Sequence, residues 1–83
     1  MNRDEVTQNL NQVFQEVFDD KTLTVRDSMT AADVKHWDSL NHVTLIVAVE
    51  RAFGLRFSTK EVSSWKNVGE MIDMIGKKKN GGS

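Results

Sequence analysis

The sequence predicts an all-α fold, a small four-helix bundle of three long helices and one short one, with a long loop between the first and second helices. Three observations lead there. Apolar residues recur at helical spacing in three separate stretches, and side chains able to cap a helix stand just before them. The alternation expected of strands is at best local, around Leu55-Arg56-Phe57. At 83 residues and 39% hydrophobic, the chain makes one small domain at most. It has no Cys, so neither disulfides nor cysteine-ligated zinc reinforce the core.

The first helix spans Arg3 to Phe18, where Val6, Leu10, Val13, Phe14, Val17 and Phe18 form one stripe and Asn2 stands three residues before Glu5 with capping-box spacing. Asp19-Asp20-Lys21 ends it. About eighteen residues follow in which Leu23, Val25, Met29 and Val34 are apolar anchors, and Thr30-Ala31-Ala32-Asp33 has the spacing of a short capped turn. A loop this long inside a small domain is often functional. The second long helix starts at Ser39, with Asp38 as N-cap, and stops at Phe53 before the C-cap Gly54. Lys60 to Ser64 predict one brief helical turn. Asn67 then caps a last helix whose apolar face is Val68, Met71, Ile72 and Ile75, closed by Gly76. Residues 1–76 form the domain on this reading, and 77–83 a disordered tail whose Gly-Gly-Ser end has the composition of an expression remnant.

The second helix has more apolar surface than one buried side requires. His42, Leu45, Ile46, Val49, Ala52 and Phe53 cluster on one side, a sufficient core face for a bundle of this size. Leu40, Val43 and Val47 make a second stripe, about 140° away by helical geometry. Either residues of the long loop such as Val25 and Met29 fold over that stripe, or it is a docking surface; the second reading is preferred. At the head of this helix stands Trp37-Asp38-Ser39-Leu40. A helix N-terminus presents unpaired N–H groups and the positive end of the dipole, so a hydroxyl there is well placed to carry a phosphate. Ser39 is the candidate, because Asp38 can serve as the cap.

Other classes fare worse. Eleven Lys and Arg against twelve Asp and Glu give a net charge of −1, which lacks the basic footprint of nucleic-acid binding. The longest apolar run, Leu45 to Val49, is too short to span a bilayer, and no apolar leader opens the chain, so a cytoplasmic location is expected. Ser39, His42 and Asp38 do not make a hydrolase triad, since His42 points with the core stripe and no second acid orients it. No catalytic residue is expected. Two histidines without cysteine or matched spacing make no metal site.

Taken together, Asp38-Ser39-Leu40 at the head of the second long helix, the long loop before it, and Val43, Glu50 and Phe53-Gly54 after it resemble the acyl carrier protein family. The resemblance covers Arg3 to Ile75, including the short third helix and a final helix with Val68 and Ile72. It implies that Ser39 is the attachment point of 4'-phosphopantetheine, added from coenzyme A by a phosphopantetheinyl transferase. The arm holds acyl groups as thioesters and presents them to acyl-loading and acyl-processing enzymes of fatty-acid, polyketide or related biosynthesis. The chain would be a non-catalytic, monomeric carrier. By the same resemblance, Asp38, Leu40, Asn41, Val43, Thr44, Val47, Glu50 and Arg51 meet partner enzymes, and Ile46, Val49, Phe57, Val62 and Trp65 surround a cleft for the acyl chain. Alternatives are an unmodified helical adaptor using the Leu40, Val43, Val47 stripe, or an aminoacyl or peptidyl carrier.

One departure is informative. Fatty-acid carriers usually have a strongly acidic second helix, whereas here Asn41, Thr44 and Arg51 leave only Asp38 and Glu50. Long-range charge steering should be weaker and apolar docking relatively more important, as in a specialised rather than housekeeping carrier.

Overall fold

Asn2 opens the first helix by accepting the Glu5 amide on its side-chain oxygen at 2.9 Å, and α1 runs over Arg3–Val17. The computed structural model describes residues 2–80, in which α1 is followed by a short 3-10 turn at Ala31–Asp33, α2 at Ser39–Phe53, α3 at Thr59–Ser64 and α4 at Val68–Asn80. The described residues hold no strand, and the expected four-helix arrangement is the one observed. α1 packs against both α2 and α4. Val6, Leu10, Val13 and Phe14 of α1 meet Leu45, Val49 and Phe53 of α2 and Val68, Met71, Ile72 and Ile75 of α4 in one core.

The long loop is part of that core. Val25, Met29 and Val34 are buried in it, which decides how they relate to the second stripe of α2: they turn inward and do not cover it. The loop is also tied to the helices through its backbone. Asn11 Oδ1 accepts the Val25 amide at 2.7 Å, and Gln15 Nε2 donates to the Leu23 carbonyl at 2.9 Å. At the head of α4, the Val68 amide donates to Met29 O at 2.8 Å and the Gly69 amide to Asp27 O at 2.9 Å. Glycine favours this close approach, because a Cβ at residue 69 would stand 3.0 Å from the Asp27 carbonyl oxygen and the loop backbone would have to give way. Thr30 and Asp33 cap the 3-10 turn reciprocally, as their spacing predicts.

Four expectations are corrected. α4 does not stop at Gly76 but continues to Asn80, because the lysines expected in a tail find partners: Lys78 Nζ lies 2.9 Å from Glu61 Oε2, and Lys79 Nζ donates to the Phe53 carbonyl at 2.9 Å. Cations in a last helical turn also suit the dipole. Gly81, Gly82 and Ser83 lie outside the described residues. α3 begins at Thr59, one residue early, since Ser58 and Glu61 form a full capping box. Phe18 is the C-cap of α1 rather than its last residue. Ala52, assigned to the core face of α2, is exposed, at the edge of an open groove beside α1.

Candidate functional site

The chain arrives at α2 through a tight turn centred on His36, a left-handed residue with φ of 69°. Such a conformation costs a non-glycine residue about 1 kcal/mol or more. Local bonds hold it: the His36 carbonyl accepts the Asp38 amide at 3.0 Å and Asn41 Nδ2 at 2.6 Å. Asp38 then caps the helix, its Oδ1 accepting the Asn41 amide at 2.9 Å while its carbonyl accepts the His42 amide at 2.9 Å. Ser39 follows as the first helical residue, exposed, with no hydrogen bond to its hydroxyl among the described residues.

That geometry frees Ser39. A serine at the head of a helix ordinarily spends its oxygen on capping, and here Asp38 does so instead. The first amides of a helix have no acceptor within it, and a fifteen-residue helix brings the positive end of its dipole to the same place. A phosphodiester on Ser39 Oγ would meet both, so the residues present fit a phosphopantetheine arm.

Trp37 anchors the turn from the other side. Its ring lies edge-on to Phe14 at 5.4 Å, against Phe18 at 5.9 Å and stacked on His42 at 6.0 Å. Its Nε1 donates to His42 Nδ1 at 3.0 Å. His42 is therefore half-buried and engaged with Trp37, and the Asp38 carboxylate with the Asn41 amide; neither is hydrogen-bonded to Ser39. The described residues contain no cluster of three or more metal-ligating side chains, and no helix long and apolar enough to cross a membrane.

Beyond Ser39 the second stripe is open to solvent. Leu40 is 76% exposed, Val43 62% and Val47 42%, and they are the large hydrophobic residues that stand out from the described surface. A shallow groove beside them is walled by Val13, Val43, Val47, Ala48 and Ala52, with Glu16 and Arg51 at its rim. Arg51 and Arg56 lie together at the far end, past Val47. From Val34 to Lys66 the chain carries five Lys and Arg against three Asp and Glu, so the segment around Ser39 is mildly basic within a mildly acidic protein.

Thr44 is exposed like its apolar neighbours. Asn41 and Glu50, by contrast, are half-buried and do structural work: Asn41 braces the His36 turn, and Glu50 Oε2 accepts the Phe57 amide at 2.8 Å. Of the five residues expected around a cleft, the structure brings Val62 and Trp65 to the wall of a recess about 160 Å³ in volume, between the loop, α2 and α3. Ile46, Val49 and Phe57 do not line it. Val49 is fully buried in the core, Ile46 packs against that core, and Phe57 lies edge-on to Trp65 at 4.9 Å. The recess is completed by Thr30, Ala31, Trp37, His42, Lys66, Asn67 and Met71, which sequence reasoning did not assign to it.

Comparison with known proteins agrees with this geometry. No protein-family model matches the chain. It is 32% identical over 75 residues to the acyl carrier protein of Acidothermus cellulolyticus, an alignment covering 90% of this chain and 89% of that protein. Its fold matches the solution NMR structure of holo acyl carrier protein from Geobacter metallireducens with a TM-score of 0.83 and 36% identity, covering 88% and 84% of the two chains. With a free serine at the head of its central helix, an open apolar stripe beside it, and this likeness over nearly its full length, the chain belongs to the acyl carrier protein family.

Proposed function

We propose that Ser39 Oγ carries 4'-phosphopantetheine and that the chain is a cytoplasmic, monomeric carrier that presents acyl groups to partner enzymes of fatty-acid, polyketide or related biosynthesis. The observation that carries this reading is the exposed, unpartnered Ser39 hydroxyl, released from capping by Asp38. The holo form of the structural relative supports it.

Attachment is a phosphoryl transfer. The Ser39 oxygen forms a bond to phosphorus of the coenzyme A pyrophosphate, the phosphoanhydride bond breaks, adenosine bisphosphate leaves, and the hydroxyl proton passes to a base of the transferase. The chain's own part is to hold the oxygen clear of the surface and to offer the helix head to the phosphate. When bound, the arm supplies a thiol that holds acyl groups as thioesters. Leu40, Val43 and Val47, with Asp38, Thr44 and Arg51 around them, give partner enzymes an apolar contact with few charges. Asn41 and Glu50 contribute by holding the His36 turn and the end of the α2–α3 connection in place.

Incubation with coenzyme A and a broad-specificity phosphopantetheinyl transferase, read by intact mass, tests this. The expected result is one phosphopantetheine per chain, abolished by Ser39→Ala. No mass gain, or a gain that survives the substitution, overturns the reading in favour of an unmodified adaptor.

A further inference from the structure

We propose that the groove between α1 and α2 takes an amphipathic helix of a partner enzyme in one direction only, with carboxylates of that helix on Arg51 and Arg56 and its cations toward Glu16. This rests on the carrier reading and goes beyond it by bringing α1 into the docking surface and by stating the charge pattern of the partner.

Packing makes the groove. Phe14 and Phe18, late in α1, lie against Trp37 just ahead of α2, so the two helices run antiparallel where they meet. Ala48 and Ala52 stand one turn apart on the side of α2 that faces α1, and their short side chains leave a trough between Val47 and Val13. Exposed Val43 and Val47 form its outer wall, so the trough continues the apolar stripe that begins at Leu40. A trough between two helices that is apolar along its length suits the apolar face of a third.

Charge gives the trough a direction. Antiparallel packing sets Glu16 beside Val43 and Thr44, at the Ser39 end, whereas Arg51 lies two turns further along α2, about 12 Å on, with Arg56 next to it. None of the three enters an ion pair among the described residues, and the neighbouring Glu50 carboxylate is turned to the Phe57 amide. Glu16 is placed against its own helix: it stands in the last turn of α1, a turn without basic residues, where the dipole disfavours an anion. The dipole of α2 accounts for Arg51 in its own last turn, but not for Arg56 or for the opposed Glu16. Charges at the rim of an apolar contact fix register and exclude wrong partners more than they add affinity. A phosphodiester on Ser39 would add negative charge at the Glu16 end and strengthen the same polarity.

The probe is a synthetic amphipathic helical peptide of about sixteen residues, with glutamates and lysines about eight residues apart at the two ends of its apolar face, and a nitroxide at one end or the other. It is titrated into the isotope-labelled full chain and followed by NMR. Shifts are expected at Val13, Val47 and Ala48, with the nitroxide at the glutamate end broadening Arg51 and Arg56 and the one at the lysine end broadening Glu16. Peptides with glutamates at both ends, or lysines at both, should bind about fivefold more weakly. In the swapped chain, Glu16→Lys with Arg51→Glu and Arg56→Glu, the mixed peptide should bind in reverse and the two broadening patterns exchange. No shift at Val13 with millimolar peptide, equal binding of the three peptides, or an unchanged broadening pattern in the swapped chain overturns the proposal. These outcomes are read without the arm and leave the carrier reading intact, which falls instead if coenzyme A and the transferase give no mass gain.

Discussion

The indole Nε1 of Trp37 donates to Nδ1 of His42 at 3.0 Å while the two rings stack at 6.0 Å, so the residue before the α2 cap is fastened to the first turn of the helix it precedes. His42→Leu removes the acceptor and strands a half-buried N–H, with an expected loss of about 1–3 kcal/mol in urea unfolding. His42→Gln, whose amide oxygen can still accept, should lose less. Equal stability of both variants and the parent would show that the bond contributes nothing. Nitrogen NMR shifts of His42 should place its proton on Nε2.

The glycines should respond in opposite directions to alanine. A Cβ at Gly76 meets nothing within 4 Å, and the residue lies inside α4, so Gly76→Ala should stabilise by about 0.5–1 kcal/mol. Gly54 ends α2 with φ of 64°, where alanine is strained, and Gly54→Ala should destabilise by about 1 kcal/mol despite the open space around it. Gly69→Ala should cost more than Gly54→Ala, because the Asp27 carbonyl is backbone and cannot swing away. Thermal melts of the three variants would reveal a different order if these local causes were not the governing ones.

α3 should weaken in acid. The Glu61 carboxylate is held below its ordinary pKa of 4.5, first by the Ser58 amide and then by Lys78. The charged form therefore favours the folded state, a contribution complete above the unfolded value and lost as pH falls through the folded one. Amide exchange at Val62 and Trp65 should accelerate on acidification through that window. In Glu61→Gln the acceleration should be absent, and its persistence would assign the effect to another carboxylate.

Leu40→Ala should leave the fold alone and weaken recognition. At 76% exposed the side chain contributes little to stability, within about 0.5 kcal/mol. If it docks on the transferase, kcat/KM for arm attachment should fall about tenfold, or 1.4 kcal/mol, with little dependence on salt. A large salt dependence and an unchanged rate for Leu40→Ala would mean that charge, not the apolar stripe, carries the encounter.

How much of this was legible in the sequence follows from where each signal lies. Asp38 and Gly54 bound α2 by local chemistry, one accepting an amide three residues on and the other adopting a left-handed conformation, so both ends could be read directly. The open stripe was legible because α2 carries more apolar residues than one buried side can use. The start of α3 at Thr59 is set by the Ser58 and Glu61 box, whose spacing is present in the sequence and places the helix one residue before the apolar and polar pattern alone does. The extension of α4 past Gly76 could not be read locally, since its partners, Glu61 and the Phe53 carbonyl, lie 17 and 26 residues away. The recess has the same character: Trp37 and His42 come from one segment and Trp65 and Asn67 from another more than twenty residues on, and only packing brings them to one wall.

The two amides that open α4 find their acceptors in the loop, at Met29 and Asp27, rather than in a side chain of their own turn. α4 therefore cannot unwind from that end without releasing the loop, nor the loop lift away without exposing buried Val25 and Met29. Irregular backbone here is cooperative backbone: the Val68 and Gly69 amides should exchange only on global opening, and a protease should find few early cuts between Leu23 and Val34. The long connection thus ties the head of α4 to the same loop that leads into the His36 turn, and so to the segment bearing the one hydroxyl on which the protein's chemistry is proposed to hang.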